Sequence, residues 1–272
     1  MHQFQDRISI VTGAGSGIGA ALSHELGRQG ARVICADIAG DAARAVAQEI
    51  TAAGGQASGE TLDVTDAAQV AQLIDATVKT YGRLDLIFNN AGVSVAGDAR
   101  DLTLLHWRKV LDVNLMGVVY GTDAAYKQMA RQGHGHIVNI ASLAGLIPFP
   151  TNAPYATSKH AVVGLSLSLR AEGEDLGVKV SAVCPGFIQS NIYQATPFIN
   201  LDREGMLRNM PFTPIATARA ATAILRGVAR NQAVIVFPGY ARFIWLLQRL
   251  CARWLNPFQR KAIRDLRKLR LH

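Results

Sequence analysis

Apolar runs alternate with helical patterns along most of the chain. Residues 8–12 form a short apolar run that ends in glycines, and Ile18, Leu22 and Leu26 follow it at the spacing of one helix face. Similar patterns predict strands at 32–37, 84–89, 136–142, 179–184 and 234–237, and helices at 41–53, 107–129 and 155–172. Strands that alternate with helices of this length need crossover connections. We therefore expect an α/β fold with a doubly wound, mostly parallel sheet.

The composition indicates one globular domain followed by a basic tail. With 272 residues, 49% of them hydrophobic and 18% charged, the chain is long enough to bury a substantial core. No internal repeat or low-complexity linker divides residues 1–239. The net charge of +8 belongs to residues 240–272, which hold nine Arg or Lys and one acid, whereas the other 19 basic and 19 acidic residues balance. We predict a single domain over 1–239 and a helical tail over 240–272.

Cysteine usage and the first residues bear on the cellular compartment. Cys35, Cys184 and Cys251 are too few and too scattered for a disulfide framework or a zinc site. Residues 1–7 lack the apolar segment of a signal peptide, and no run reaches the roughly 18 apolar residues of a membrane span. We expect a reducing, cytoplasmic location.

Two other ligand classes find little support. His134 and His136 could form a metal pair, but no acidic residue stands near them, so a role on a loop surface is the favoured interpretation and no metal site is predicted. The basic tail has no nucleic-acid recognition motif to accompany it in the body of the chain. We predict no nucleic-acid partner.

A glycine-rich segment, Thr-Gly-Ala-Gly-Ser-Gly-Ile-Gly over residues 12–19, joins the first predicted strand to the first helix. A pyrophosphate needs backbone N–H groups and the positive end of a helix dipole, and glycines let phosphates approach the backbone. An ordinary glycine-rich loop is the alternative, but the flanking strand and helix favour a dinucleotide site. The residues predicted to bind the cofactor here are Gly13, Ser16, Gly17, Ile18 and Gly19.

Asp37 closes the second predicted strand. A carboxylate at this position can accept hydrogen bonds from a ribose 2′-hydroxyl, whereas it repels a 2′-phosphate. The next residues, Ile38, Ala39 and Gly40, offer no compensating base. The sequence therefore predicts NAD rather than NADP.

Tyr155 and Lys159 lie four positions apart in a predicted helix, thirteen residues after Ser142 at a strand end. Such a pair is most often a surface feature, because positions i and i+4 simply share a helix face. A nearby ammonium can also lower the pKa of a phenol and make it a general base near neutral pH. Ser142 could orient a substrate oxygen beside it. With a dinucleotide turn upstream, this group predicts proton transfer coupled to hydride transfer.

The assembled motifs resemble the classical short-chain dehydrogenase/reductase family over about residues 6–239. Beyond the glycine turn, the matching residues are Asp63-Val64, Asn89-Asn90-Ala91-Gly92, Asn114, Ser142, Tyr155-x-x-x-Lys159 and Pro185-Gly186-Phe187-Ile188-Gln189-Ser190. Ser190 stands where the family more often has threonine, and either hydroxyl can serve. The resemblance implies a Rossmann-type fold and a dehydrogenase or reductase that uses a nicotinamide cofactor.

The resemblance also implies roles for individual residues. Those that would hold the adenine ring and the riboses are Asp63, Val64, Asn90, Ala91 and Gly92. Those in the turn that would contact the nicotinamide carboxamide are Pro185, Ile188 and Ser190. Lys159 would also bond the nicotinamide ribose, and Asn114 would hold a water that completes a proton path to solvent.

Residues 191–215 would form the lid over the substrate in this family, and they are rich in apolar side chains. The predicted substrate residues, besides Ser142 and Tyr155, are Phe149, Phe187, Ile192 and Tyr193. This lining favours a bulky hydrophobic secondary alcohol or ketone over a sugar or a short acid.

We expect an NAD-dependent dehydrogenase. The alternatives are an NAD(P)H-dependent reductase acting mainly on ketones, and a dinucleotide-binding protein recruited to membranes or partners with incidental catalysis.

The tail over 240–272 has an amphipathic helical pattern with Trp254 on its apolar side. The arginines on the other side are Arg242, Arg249, Arg253 and Arg260. A basic amphipathic helix suits an anionic membrane surface. Its apolar side could equally cover the body of the protein or a partner subunit. We expect Asn256-Pro257 to break the helix in two, and the whole chain to form a homodimer or homotetramer.

Overall fold

The computed structural model describes residues 3–271, except the side chains at 255, 258, 259 and 262. The strands of this part of the chain are β1 (Ile8–Thr12), β2 (Arg32–Asp37), β3 (Gln56–Thr61), β4 (Leu86–Asn89), β5 (Ala96–Gly97), β6 (Gly135–Ile140), β7 (Val178–Pro185), β8 (Phe198–Ile199) and β9 (Val234–Phe237). Strands β5 and β8 pair only with each other, and the remaining seven form one parallel sheet.

The α-helices follow the strands in alternation. They are α1 (Gly17–Arg28), α2 (Gly40–Ala52), α3 (Ala67–Tyr81), α4 (Leu104–Leu111), α5 (Gly117–Gln132), α6 (Ala153–Glu172), α7 (Ile192–Ala195), α8 (Arg203–Arg208), α9 (Thr217–Ala229), α10 (Gly239–Leu250) and α11 (Asn256–Arg267). A π-helical segment, Asp112–Met116, connects α4 to α5, and short 3₁₀ turns cover Leu143–Gly145 and Ala252–Leu255.

The strand order is β3-β2-β1-β4-β6-β7-β9. The chain therefore winds outward from β1 in one direction and then returns to add β4 on its other side. In doubly wound sheets, ligands bind in the crevice beyond the carboxyl ends of the strands at this reversal. Thr12 ends β1 and Asn89 ends β4, so the residues after them border that crevice.

The hydrophobic core fills both faces of the sheet. On one face α1, α2 and α9 pack through side chains such as Leu22, Ile50 and Ile224. On the other face α3 and α5 pack through Ile74 and Met129. Because every central strand is covered on both sides, its residues are buried almost without alternation. These observations confirm the predicted α/β fold with a doubly wound parallel sheet.

Three longer elements of the body, β3, α3 and α9, were missing from the sequence prediction, as were the short segments β5, β8, α7 and α8. Strand β3 lies at the sheet edge and half of its residues are exposed, so it lacks an apolar run. The predicted helix over 107–129 begins earlier, at Leu104, and is interrupted by the π-helical segment.

The tail also differs in detail. Helix α10 ends at Leu250, and Asn256-Pro257 starts α11 instead of interrupting one helix, because proline is tolerated in a first helical turn. The expected row of four arginines therefore does not lie along one continuous helix. Arg242 and Arg249 share α10, whereas Arg253 and Arg260 belong to later segments.

Candidate functional site

The glycine turn has the backbone that close phosphate contact requires. Gly13 and Gly17 adopt φ values of +65° and +57°, which side chains disfavour. A Cβ on Gly19 would overlap the carbonyl oxygen of Gly13. Ser16 precedes α1 in extended conformation, and its side chain makes no capping hydrogen bond to the helix. The first N–H groups of α1, including that of Ile18, are thus left for a ligand, and the turn fits a pyrophosphate.

Asp37 lies directly behind this turn. Its carboxylate accepts hydrogen bonds from the N–H of Gly15 and the N–H of Ala39, both at 2.9 Å. The sequence interpretation counted no nearby base, but the structure brings Arg44 of α2 close to the end of β3. Its guanidinium is held there by Asp41 at 2.8 Å and by the Thr61 hydroxyl at 3.3 Å.

Thr12 ties the glycine turn to the segment after β4. Its hydroxyl accepts hydrogen bonds from the N–H groups of Asn90 (3.0 Å) and Ala91 (3.1 Å). The Asn90 amide in turn donates to the carbonyl oxygens of Thr12 and Gly13. Sequence reasoning missed Thr12 as an anchor, although its position beside the first glycine was visible.

The remaining predicted cofactor residues flank the same crevice. Asp63 and Val64 follow β3, where the Asp63 carboxylate accepts hydrogen bonds from the backbone and hydroxyl of Thr65. Val64 packs against Gly117 at the start of α5. A Cβ on Gly92 would lie 3.3 Å from Asn114 Oδ1 and 3.7 Å from Lys159 Nζ, so this segment reaches the catalytic group.

Ser142, Tyr155 and Lys159 are brought together beside β6. The Ser142 side chain lies near enough to the phenol of Tyr155 to lower its pKa, and its hydroxyl accepts a hydrogen bond from the Ala144 N–H at 3.1 Å. The Lys159 ammonium lies 5.6 Å from the centroid of the Tyr155 ring and donates to the carbonyl oxygen of Ile140 at 2.8 Å. The spacing of four positions on α6 therefore places the Lys159 ammonium next to the Tyr155 phenol, as expected. The Lys159 side chain is itself buried.

Burial governs the protonation of this group. It raises the pKa of Tyr155, and the nearby Ser142 hydroxyl lowers it only in part. Burial also lowers the pKa of Lys159 to about 8. Burial is thus the largest influence on Tyr155 among the protein's own groups, and the lowering of its pKa by Lys159 together with a bound nicotinamide stays a prediction. Cys184 behind both residues is a neutral thiol, since burial raises its pKa to about 12.

Asn114 lies in the π-helical segment between α4 and α5. Its amide donates to the Val93 carbonyl oxygen and accepts from the Val93 N–H, both at 2.8 Å. It also approaches the Ser158 hydroxyl at 3.3 Å, and Ser158 donates to the Tyr155 carbonyl oxygen at 2.7 Å. The π-helical segment thus directs the Asn114 side chain toward Val93 and Ser158, beside the catalytic group. Such segments recur at functional sites.

The predicted substrate residues form one wall of the crevice. Phe149 and Phe187 have ring centroids 6.2 Å apart, and Phe187 is 6.3 Å from Phe212. Phe212 stacks on Tyr240 of α10 at 3.9 Å with an interplanar angle of 3°. Sequence reasoning named Phe149 and Phe187 but missed Tyr240, which it assigned to the tail.

Helix α7 carries the two predicted lid residues, Ile192 and Tyr193, both half-buried. Tyr193 lies close to Tyr155 and to the backbone of Ile188, both of which influence the pKa of its hydroxyl. Burial raises the pKa of Tyr193. Ile188 follows the turn at Pro185, and Ser190 lies 3.3 Å from the position of a Cβ on Gly17. The two loops of the predicted cofactor site therefore face each other.

The structure corrects the role expected for His136, which is a buried residue of β6 and not part of a surface loop. Ser181 donates to the Gln232 carbonyl oxygen, so it accepts a hydrogen bond from His136 Nε2 at 2.8 Å. Over residues 3–271, no three His, Cys, Asp or Glu side chains are grouped to hold a metal ion. No helix in the same range has the length and apolar character to cross a membrane.

A parallel sheet with a glycine turn at its reversal point, beside a serine, a tyrosine and a lysine, is the arrangement of nicotinamide-dependent oxidoreductases. Residues 7–197 match the family model described as short chain dehydrogenase. The chain belongs to the short-chain dehydrogenase/reductase family. It is accordingly an oxidoreductase of small-molecule alcohols or ketones.

Characterised relatives cover most of the chain. It is 36% identical to cyclohexanol dehydrogenase of Acinetobacter sp. (strain SE19) over 190 residues, 70% of this chain and 76% of that one. It is 34% identical to 3-oxoacyl-[acyl-carrier-protein] reductase of Synechocystis sp. over 239 residues, 86% of this chain and 93% of that one. A crystal structure of a family member from Burkholderia phymatum in complex with NAD superposes with a TM-score of 0.85 at 28% identity, covering 93% of this chain and 96% of that chain.

Proposed function

We propose that the protein transfers a hydride between NAD and the carbinol or carbonyl carbon of a bulky hydrophobic secondary alcohol or ketone. The observation that carries this proposal is the group formed by Ser142, Tyr155 and Lys159 at the same sheet edge as the glycine turn. A nicotinamide ring bound between the two would accept or supply the hydride. The residues around it would supply the proton and hold both molecules in place.

The proton step falls to Tyr155. Ser142 orients the substrate oxygen toward the Tyr155 oxygen, which accepts the hydroxyl proton as a phenolate in oxidation and donates it as a phenol in reduction. Lys159 carries its positive charge below its pKa of about 8 and favours the phenolate once it forms. Asn114 bonds to the Val93 backbone and to the Ser158 hydroxyl beside this group, a position that suits the proposed water-mediated proton path.

The choice of NAD is supported by Asp37. Its carboxylate stands where a 2′-hydroxyl would be an acceptable partner and a 2′-phosphate would meet a like charge. The structure adds the base Arg44 near the end of β3, and Asp41 already pairs with it. The NAD complex of the family member from Burkholderia phymatum agrees with this choice.

A specific observation favours the reductive direction as a second candidate. Because burial raises the pKa of Tyr155, the phenol holds its proton at neutral pH and is ready to donate it to a ketone oxygen. The 3-oxoacyl reductase among the relatives acts in that direction. Initial rates with matched alcohol and ketone pairs at pH 7, followed by NADH absorbance, decide between the two directions.

The substrate class rests on the aromatic wall of Phe149, Phe187 and Phe212. Apolar surface of this kind gains about 25 cal/mol for each Å² removed from water, and polyols cannot exploit it. A panel of cyclic and aryl secondary alcohols should therefore give higher kcat/KM values than sugar alcohols of similar size. A clear preference for the polyols would contradict the proposal.

A peripheral contact with anionic membranes is proposed for α10. Its outward face exposes Phe243 (63%), Leu246 (46%) and Leu250 (76%), which lie within about 60° at roughly 100° per residue. Arg242 and Arg249 border this stripe, and the described residues offer them no acidic partner. The opposite face packs on the body through Ala241. An apolar stripe flanked by cations matches an anionic lipid surface, and fits the predicted cytoplasmic, peripheral location.

Liposome co-sedimentation tests this contact. Vesicles of phosphatidylcholine with phosphatidylserine should retain the protein, and vesicles of phosphatidylcholine alone should not. Replacing Phe243 and Leu250 together by serine should abolish retention, whereas Leu176→Ser, a control at a leucine that is also exposed (43%), should not. Retention that ignores anionic lipid or survives the double replacement would reject the membrane contact.

The predicted homodimer or homotetramer remains a proposal. Apolar side chains that could support it are exposed on α4, where Leu104 and Leu105 are 85% and 73% accessible, and on α6 at Leu167. Light scattering coupled to size-exclusion chromatography measures the assembly directly. A mass of one chain at micromolar concentration would contradict the proposal.

A further inference from the structure

The last described residues of the chain lie against the substrate lid. Arg270 forms an antiparallel β-bridge with Leu201, just after β8. Beside this bridge, the N–H of Asp202 donates to the Leu269 carbonyl oxygen at 2.8 Å. Backbone pairing fixes two segments in register. The chain end is therefore attached to the lid at defined positions.

Asn200 joins three segments at this point. Its carbonyl oxygen accepts a hydrogen bond from the Leu271 N–H at 3.0 Å, and its side chain lies near enough to the Asp101 carboxylate to help lower the pKa of that group. Asn200 adopts a φ of +50°, a left-handed conformation that asparagine tolerates better than most residues. The lid thus bends toward both the chain end and the segment after β5.

Two ion pairs secure the same contact, and each joins residues 169 positions apart. Arg270 makes two hydrogen bonds to Asp101, at 2.7 and 3.1 Å. Arg267 lies 3.1 Å from Asp98, whose side chain is 8% exposed. Arg100 and Arg267 together hold the pKa of the Asp98 carboxyl well below its usual range. A carboxylate so little exposed needs its cations, so losing one leaves a poorly solvated charge.

Asp98 and Asp101 connect this contact to the catalytic helix. They follow β5, which pairs with β8 of the lid. The Gly97 N–H donates to the Thr151 carbonyl oxygen at 2.8 Å, four residues before Tyr155. The chain end therefore bridges the lid and the segment that borders the start of α6.

The first residues of the tail also contact the aromatic wall formed by Phe149, Phe187 and Phe212. The Tyr240 hydroxyl accepts a hydrogen bond from the Phe187 N–H at 2.7 Å, and its ring stacks on Phe212. A Cβ on Gly186 would collide with the same hydroxyl. Contacts thus cross the predicted boundary at residue 239 on both sides of the substrate region.

We propose that residues 267–271 form a strap that holds the lid over the substrate, with Arg267 and Arg270 as positioning residues. The proposal rests on the proposed function only in assigning residues 191–215 to the substrate. Loosening the strap frees the lid and weakens substrate binding. Dinucleotide binding is unaffected, because none of the strap's contacts involves the glycine turn or Asp37.

The test compares Arg270→Ala, Asp101→Asn and the double variant with a matched control, Lys268→Ala, whose partner Asp265 belongs to the tail itself. Three quantities are measured on the full-length protein: KM for the substrate, Kd for NADH, and the rate of tryptic cleavage after Arg203 and Arg208 of the lid. A chain ending at Leu266 lacks the strap altogether.

Each single variant should raise KM and lid cleavage at least fivefold with Kd for NADH within twofold, and the control should match the wild type. The double variant should equal the single ones, because both remove one interaction. The shortened chain should show the largest increases. Lid cleavage and KM that stay at control values would overturn the strap. Absence of turnover in the wild type would overturn the proposed function instead, and lid cleavage would still decide the strap.

Discussion

The Asp37 carboxylate accepts a hydrogen bond of 2.9 Å from the N–H of Gly15, so the acidic end of β2 and the glycine turn form one unit. A ligand phosphate on the turn and a ribose beside β2 would meet opposite electrostatic environments within this unit. The N–H groups favour the phosphate, and the carboxylate favours a neutral hydroxyl.

Replacing Asp37 by serine and Ile38 by arginine should move the cofactor preference toward NADP. The change removes a like charge and adds an exposed cation, since Ile38 is 70% accessible. A charge pair at about 4 Å near a surface is worth roughly 1–4 kcal/mol, so the ratio of kcat/KM for NAD and NADP should shift by at least about fivefold. An unchanged ratio in steady-state kinetics would contradict the role of Asp37.

Lys159 should make NADH binding depend on pH. Burial lowers its pKa to about 8, so the ammonium is present at pH 7 and is lost as the pH rises through that value. A hydrogen bond from a charged donor contributes about 1.5–3 kcal/mol, and Kd for NADH should rise roughly 10- to 100-fold above pH 8. Lys159→Met should bind weakly at every pH. A wild-type Kd that is constant between pH 6 and 10 would exclude the proposed bond to the ribose.

Asn114→Ala should lower both stability and turnover. It removes two hydrogen bonds of 2.8 Å to the Val93 backbone and leaves those groups without their partner, a cost of about 1–3 kcal/mol in the free energy of unfolding. Urea unfolding measures the stability. The proton-path role predicts a further fall in kcat at saturating cofactor, and an unaltered kcat would restrict Asn114 to structure.

His136 should make folding stability sensitive to acid. Burial lowers its pKa to about 3 in the folded protein, whereas the unfolded side chain titrates near 6.5. Between these values only the unfolded chain binds the proton, so stability falls as the pH drops from about 6.5 toward 3, by up to roughly 1.4 kcal/mol per pH unit. His136→Gln keeps a donor to Ser181 without the titration. Its unfolding free energy should depend less steeply on pH, and equal slopes would contradict the assignment.

The sequence was sufficient for six of the seven strands of the sheet and for the grouping of Tyr155 with Lys159, because both leave local signals. Buried parallel strands appear as apolar runs, and Tyr155 and Lys159 share a face at a spacing that helix geometry dictates. The edge strand β3 left no such signal, since its exposed residues are polar. Local sequence patterns therefore predicted β6 and α6, whereas they gave no prediction for β3.

Contacts between distant segments could not be inferred from local patterns. The pairing of Arg270 with Asp101, and the stacking of Tyr240 on Phe212, depend on the completed fold. The burial of Tyr155, which raises its pKa, could not be inferred for a similar reason. The spacing of Tyr155 from Lys159 was visible in the sequence, whereas this burial depends on the completed fold.

Tyr155→Phe tests the central claim most directly, because it removes one oxygen and leaves the aromatic ring. NADH titration by fluorescence should give a Kd within a few-fold of the wild type, since the glycine turn and Asp37 are untouched. Turnover of the best secondary alcohol should fall roughly 10²- to 10⁴-fold, the contribution expected of a general acid–base group. Turnover that survives at the wild-type rate would contradict proton transfer through Tyr155.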